Sequence, residues 1–318
     1  MSRRILVTGG CGLIGSAVVE RVLAAGGRAL VLDNLSTGKP GNLLKDPRVE
    51  LTVGDVCDDA LVQSLVRRSD AVAHLAAGVG VRLVLSRPTG ALRQSLLGTE
   101  NVLRHAAAGR RPVFYASTSE VYGDSDGEPL AETRPLGFGA PDRLRFSYAA
   151  GKAAGEALAF AYAHEYGLPV AVGRFFNVTG ARQSPDGGAV LPTFARQALA
   201  GSTITLHGDG SQTRCFLDAR DAAEYVWRLL DAATAPGTLV NIGHDEPVTI
   251  LDLARRVRDL VDPRVRIEAT PPRYGAGFVP IRHRRPDVRR LRGLTGHHPQ
   301  VPLDETIRSC VLVARAAR

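Results

Sequence analysis

Ile5-Leu6-Val7-Thr8-Gly9-Gly10-Cys11-Gly12-Leu13-Ile14-Gly15 decides the fold. An apolar run stops at glycine, and Gly9, Gly12 and Gly15 then recur at every third position. A stretch with helical spacing follows from Ile14 to Ala25. In a strand–turn–helix of this kind, backbone without Cβ atoms can approach a pyrophosphate closely. The free N–H groups at the helix start point at that anion.

Outward from this stretch, short apolar runs alternate with helical ones. Strands are expected at Ala29–Leu32, Val49–Val53, Ala71–Leu75, Val113–Ala116 and Val170–Phe175, and helices at Pro88–Ala108 and Tyr148–Tyr166. Continuous apolar strands alternating with helices predict a parallel sheet covered on both faces. Right-handed crossovers make it doubly wound, an α/β fold of the Rossmann-like kind. After Arg174 the texture changes. Gly, Pro and Asp crowd Gly180–Pro192, short strand-like pieces follow at Thr203–His207, Thr213–Leu217 and Val240–Ile242, and helices are expected at Ala219–Ala232, Ile250–Val261 and Leu303–Ala317. The expected division is 1–175 as a dinucleotide-binding domain, rejoined by segments around 213–243, and 176–318 as a smaller, interleaved C-terminal α/β substrate lobe.

Composition narrows the function. Of 318 residues, 44% are hydrophobic and 23% charged, so a disordered or fibrous chain is excluded. No apolar stretch approaches the roughly 18 residues of a spanning helix, and the N-terminus lacks an apolar leader, so a cytoplasmic protein without membrane partners is expected. The four cysteines are scattered without a Cys-x-x-Cys pair, so neither a disulfide framework nor a zinc site is expected. The net charge of +8 comes almost wholly from arginine, since Lys39, Lys45 and Lys152 are the only lysines. A basic surplus suits polyanions. With 5% aromatics and no nucleic-acid motif, phosphorylated small molecules are expected rather than nucleic acid.

Asp33 closes the second strand, where a carboxylate can bind adenosine ribose hydroxyls and repel a 2′-phosphate. Asn34-Leu35 after it supplies no arginine, so the expected cofactor is NAD. Its expected contacts are Gly9, Gly12, Leu13, Ile14, Gly15, Asp33, Asn34, Asp55, Val56, Leu75, Ala76, Ala77, Tyr148 and Lys152. Asp55-Val56 follows the third strand, near an adenine, and the small residues after His74 let a cofactor lie against the sheet edge. His74, a lone strand histidine, reads as structural. Tyr148 and Lys152 stand four apart on one helix and face the same way. An ammonium stabilises a phenolate, which lets Tyr148 serve as a base near neutral pH. A lysine in a chain that otherwise uses arginine points to a need for a compact charge.

With these residues, and with His74-Leu75-Ala76-Ala77, Ser117-Thr118-Ser119-Glu120-Val121-Tyr122-Gly123, Arg174-Phe175-Phe176-Asn177 and Gly210-Ser211-Gln212-Thr213-Arg214, the chain resembles the extended short-chain dehydrogenase/reductase superfamily, and within it the nucleotide-sugar epimerases, dehydratases and decarboxylases. The resemblance implies that Thr118 bonds the sugar 4-hydroxyl and that Asn177 touches the nucleotide sugar. It implies that Arg214 and one of Arg284 and Arg285 hold the diphosphate, a task suited to guanidinium forks. It also implies a homodimer paired through helices, and the alanine-rich helix after Tyr148 suits close helix approach. Two positions depart from the pattern: Ser95 stands where relatives often have Asn, and Cys215 where many have Asp.

Such enzymes share a first step, in which the base takes the 4-hydroxyl proton while the C4 hydride leaves. Thr118-Ser119-Glu120 lacks the Asp-Glu pair of a 4,6-dehydratase. Together with Arg284-Arg285-Pro286-Asp287 it resembles UDP-glucuronate decarboxylase, which would make Thr118, Glu120, Tyr148 and Lys152 the catalytic set and UDP-xylose the product. The stretch Gly78-Val79-Gly80-Val81-Arg82 is unlike the decarboxylases, which keeps a UDP-hexose or UDP-uronate 4-epimerase as the alternative. A non-catalytic NAD-binding scaffold is the remote one.

Overall fold

The computed structural model describes residues 2–78, 88–123, 127–137, 139, 146–185, 188–233, 236–271 and 283–316, so of the Gly78–Arg82 stretch only Gly78 lies within it. The chain is built on seven parallel strands: Arg4–Thr8 (β1), Arg28–Asp33 (β2), Val49–Val53 (β3), Ala71–His74 (β4), Val113–Thr118 (β5), Val170–Phe175 (β6) and Thr238–Ile242 (β11). Their order is β11-β6-β5-β4-β1-β2-β3, and every neighbouring pair is parallel. The order reverses between β1 and β4, so a crevice opens at the carboxyl ends of these two strands.

Side chains alternate across the sheet. Ile5, Val7, Phe114 and Ala171 enter a core with helices Leu13–Ala24 (α1) and Ala219–Asp231 (α7). Leu6, Tyr115, Val170 and Val172 enter a second core, against helices Asp59–Arg67 (α2), Thr99–Ala108 (α4) and Ser147–Tyr166 (α5). Burial on both faces is why the strands read as unbroken apolar runs rather than alternating ones. Helix α7 and β11 lie late in the chain, yet α7 packs in the first core and β11 pairs with β6.

A third core lies outside the sheet. It packs helices Val190–Leu199 (α6), Ile250–Val261 (α8) and Leu303–Ala316 (α10) with strand Ile204–His207 (β8). Strand β8 pairs with Ile267–Thr270 (β13). The expected strand Thr213–Leu217 is two short pieces, Thr213–Arg214 (β9) and Leu217–Asp218 (β10). Their partners differ: β9 lies between Val248–Thr249 (β12) and His283–Arg284 (β14), and β10 pairs with Val178–Thr179 (β7). The helix expected over 88–108 is also divided. Pro88–Arg93 (α3) leads into a π-helical turn, Gln94–Gly98, before α4.

The glycine turn shows why those positions are glycine. Gly9 has φ +72, and a Cβ there would stand 2.9 Å from the Ala76 Cα; at Gly15 it would land on the Gly9 carbonyl oxygen. That oxygen accepts the Gly12 amide at 3.1 Å. Gly15→Ala must therefore push the turn open. The expected result is a loss of about 1–3 kcal/mol in thermal unfolding, the usual cost of overpacking, with weaker dinucleotide binding by calorimetry. Gly41→Ala, where a Cβ meets nothing within 4 Å, serves as the unaffected control.

Candidate active site

The crevice between β1 and β4 opens into a cavity of about 740 Å³. Its wall includes Gly9, Gly12, Leu13, Ile14, Gly15, Asp33, Asn34, Val56, Leu75, Ala76, Ala77, Thr118, Tyr148 and Lys152. Thus of the fourteen residues expected to touch a cofactor, all but Asp55 line one cavity. Asp55 stands behind the wall, where its carboxylate accepts Asn34 Nδ2 and the Cys57 amide, both at 2.9 Å.

The start of this cavity is held by short polar bonds. The Asp33 carboxylate accepts the amides of Cys11 and Leu35, both at 2.9 Å, and so ties the end of β2 to the glycine turn. Across the switch point, Thr8 Oγ1 lies 2.7 Å from His74 Nδ1, and His74 Nε2 lies 3.1 Å from Thr99 Oγ1. Burial, with the Lys152 charge as a second cause, lowers the His74 pKa to about 3. This histidine is a neutral tie between strand and helix. The bare glycine cradle, the helix start behind it and the carboxylate at the end of β2 together fit a dinucleotide. Sequence reasoning missed Ser36, Thr37 and Lys39, which also line the cavity. Their signal was the polar run directly after Asp33. It missed Arg182 as well, which donates to Ser16 Oγ at 3.0 Å, pairs with Glu20 and lines the wall.

At the other end of the cavity, α5 presents Tyr148 and Lys152 one turn apart. Lys152 is 2% exposed, donates to the Ala116 carbonyl at 2.7 Å and lies 4.8 Å from the centre of the Tyr115 ring. Burial depresses its pKa to about 7, with Glu156 pulling the other way. The Tyr148 phenol is pushed above its ordinary value by burial and by the Glu120 charge; a hydrogen bond with Thr118 opposes the rise. Glu156, a further turn along α5, receives three bonds: Arg174 Nε at 2.9 Å, Arg174 Nη2 at 2.7 Å and Ser117 Oγ at 2.5 Å. The Arg174 guanidinium also stacks 4.7 Å from the Tyr122 ring, whose hydroxyl donates to Asn241 Oδ1 at 2.7 Å.

Of the residues expected to hold substrate, Thr118 lines this cavity, whereas Asn177, Arg214, Arg284 and Arg285 are not among the residues of its wall. Arg284 and Arg214 are register partners on β14 and β9. Two like charges side by side are unfavourable unless an anion lies near both. Arg284 is 7% exposed and donates Nη1 to Glu120 Oε1 at 2.5 Å, whereas its Nε and Nη2 have no hydrogen-bond partner. Arg284 is thus engaged with the expected catalytic carboxylate, not standing clear for a diphosphate alone. Arg214 Nη1 donates to the Thr213 carbonyl, and Arg285 Nε, on an exposed residue, to the Asp245 carbonyl at 3.1 Å. Asn177 has φ +34 and a buried Nδ2 without a partner. Unsatisfied buried donors carry a free-energy cost that a ligand can remove. Of the two departures, Ser95 leaves a buried hydroxyl without a partner, and burial pushes the Cys215 thiol up to about 12. That thiol is no nucleophile at neutral pH.

The chain belongs to the NAD dependent epimerase/dehydratase family, whose model matches residues 5–243. It is 34% identical over 322 residues to a UDP-N-acetyl-alpha-D-glucosaminuronate decarboxylase of Bacillus cytotoxicus, covering 98% of this chain and 97% of that one. It is also 34% identical over 313 residues to UDP-glucuronic acid decarboxylase 1 of Danio rerio, covering 97% and 72%. Among solved structures, UDP-glucose 4-epimerase of Thermus thermophilus in complex with NAD superposes with a TM-score of 0.87 at 32% identity, covering 99% and 100%.

If Tyr148 carries the proton in this site, Tyr148→Phe removes one hydroxyl and little else. Turnover should fall by roughly 100- to 10,000-fold, the usual worth of a positioned acid–base group. Circular dichroism and the unfolding midpoint should stay unchanged. Activity above a tenth of the parent enzyme would remove Tyr148 from that role.

Proposed function

We propose that this member of the family is an NAD-dependent UDP-glucuronate decarboxylase, which forms UDP-xylose and CO2 through a transient 4-keto sugar. One observation carries the reading: the Glu120–Arg284 ion pair, placed so that the Glu120 charge acts on Tyr148. A 4-epimerase has no use for a carboxylate there, because its keto sugar only has to turn over. The names of the two decarboxylase relatives agree with this choice.

The cavity residues from Gly9 to Ala77 would hold NAD, which when bound would supply the acceptor and donor of the C4 hydride. Asp55 acts at one remove, by fixing Asn34. Thr118 bonds the sugar 4-hydroxyl, Asn177 touches the sugar nucleotide, and Arg214 with Arg284 or Arg285 holds the diphosphate. Tyr148 as phenolate accepts the 4-hydroxyl proton. Lys152 supplies the positive charge that offsets the burial and the Glu120 charge opposing that phenolate. The resulting ketone lies β to the C6 carboxylate. The C5–C6 bond then breaks, CO2 leaves, and the electron pair passes into the C4 enolate. Glu120 stands as a negative charge near the substrate carboxylate, so conversion of that carboxylate to neutral CO2 relieves a repulsion. C5 takes up a proton from solvent in place of the lost CO2, and Tyr148 returns its proton to the C4 oxygen, so the sequence ends without net redox change.

In this reading residues 1–175 with β11 hold the cofactor and the later lobe holds the sugar nucleotide. The protein works as a homodimer in the cytoplasm. Ala150, Ala154, Ala157 and Ala161 make a small-residue stripe along α5, with Ala157 and Ala161 exposed, and two such helices can approach closely. Light scattering at micromolar concentration should give twice the mass of 33.8 kDa.

The second reading, a UDP-hexose or UDP-uronate 4-epimerase, is favoured by the Thermus thermophilus structure. Product analysis by mass and NMR separates the two. UDP-glucuronate should yield CO2 and a UDP-pentose, with catalytic rather than stoichiometric NAD. An isomer of unchanged mass would establish the epimerase instead. Glu120→Ala should stop CO2 release while first-step reduction of the cofactor persists. Arg284→Ala should raise KM by the equivalent of roughly 1.5–3 kcal/mol, the value of a hydrogen bond to a charged group.

A further inference from the structure

The Lys152 amine has almost no access to water, and for its ammonium form one carbonyl bond and one aromatic face do not replace hydration. We infer that Glu156 is a positioning residue, clamped by Arg174 and Ser117, whose charge holds Lys152 in its ammonium form. This inference rests on the reading of Tyr148 and Lys152 as the proton-handling pair.

The geometry supports it from each side. Tyr148, Lys152 and Glu156 follow one another at four-residue intervals on α5 and share a face. Glu156 is 4% exposed, as buried as the lysine. Its carboxylate is fixed by the Arg174 fork from β6 and by the Ser117 hydroxyl from β5. A bidentate guanidinium locks both carboxylate oxygens in position. The room for this packing is reserved in sequence: a Cβ at Gly155 would land on the Tyr115 hydroxyl. That hydroxyl donates to the Lys152 carbonyl at 3.3 Å.

Among the described residues, the other groups near Lys152 do not supply a counter-charge. Tyr148 lies one turn before it on α5. Tyr115 on β5 is held neutral by burial, its pKa raised well beyond the ordinary range. His74 on β4 is neutral as well. Glu120 acts on Tyr148, and it is itself paired with Arg284. Arg174, the second cation of the cluster, bonds both oxygens of the Glu156 carboxylate through its fork. Glu156 is therefore the anion that acts on Lys152. Without it, the lysine loses its proton at a lower pH, and the phenolate of Tyr148 loses its nearest support.

With three lysines in the chain, the test reads this proton directly. In a Lys39→Arg/Lys45→Arg background, NMR of the 13Cε-labelled lysine reports Lys152 alone. The full chain is titrated with and without NAD. Glu156→Gln should lower the midpoint by about one pH unit, a tenfold loss of proton affinity. Glu156→Asp, which keeps the charge, should restore most of it. In turnover, Glu156→Gln should shift the alkaline fall of kcat to lower pH, whereas a merely structural defect would lower kcat by one factor at every pH. Should Glu156→Gln not fold, Glu156→Gln/Arg174→Gln replaces the pair by two amides and is titrated instead, with a fall expected in the same direction. An unchanged midpoint in a folded charge-removing variant overturns the inference. The parent reading fails separately, if Tyr148→Phe keeps its turnover.

Discussion

A parallel sheet covered by helices on both faces can present chemistry only where its strands end. In this chain that constraint is sharpened by the reversal of strand order between β1 and β4, which sends successive connections to opposite sides and leaves a gap above their carboxyl ends. The glycine turn after β1, Asp33 at the end of β2, the small residues after β4 and Thr118 at the end of β5 all reach that gap for the same reason. Helix α5 then passes beside β5 and adds Tyr148 and Lys152. The site is a consequence of sheet geometry, with side chains selected at strand ends.

The electrostatics of the site follow from how little water it admits. Arg174 and Glu156 are 3% and 4% exposed, and a buried pair of this kind gains little net stability, while breaking it costs about 3–5 kcal/mol. Its value here lies in the three elements it joins: β5 through Ser117, β6 through Arg174 and α5 through Glu156. The Tyr122–Asn241 bond extends the same network, and Asn241 Nδ2 reaches the carbonyls of Leu130 and Asp287 at 2.7 and 3.1 Å. Through that last contact the segment carrying Arg284 is tied to the end of the sheet.

The sheet and the cofactor cradle were legible because both depend on local pattern. Strand β6 was read to its exact bounds and β1 to within one residue, since both are short, mostly apolar runs, one started by Pro169 and the other stopped by Gly9. Helix α2 was not read. It is nine residues long, and only Val62, Leu65 and Val66 are buried, too few to register a period. Helix α6, strand β13 and the helix Arg289–Thr295 (α9) were missed for similar brevity. Glu156 escaped notice although it continues the spacing of Tyr148 and Lys152. The contact between Glu120 and Arg284 joins residues 164 positions apart, and no local signal encodes such a pair. Sequence placed both residues in the site and assigned them separate tasks; only the fold shows that they share a bond.

The late return of the chain to the sheet bears on how the molecule comes into being. Strand β11 forms the outer edge beside β6, and α7 covers the face that holds Ile5, Val7 and Phe114. Helix α7 is complete only at residue 231 and β11 only at residue 242. A ribosome that has released only the first 175 residues therefore carries six strands with one apolar face partly bare and one edge open. Such a nascent chain is exposed to misassociation and to chaperone capture. The glycine turn, Asp33, Tyr148 and Lys152 are all present at that stage, whereas Val178, Arg182 and Ala189, which also line the crevice, are still to come.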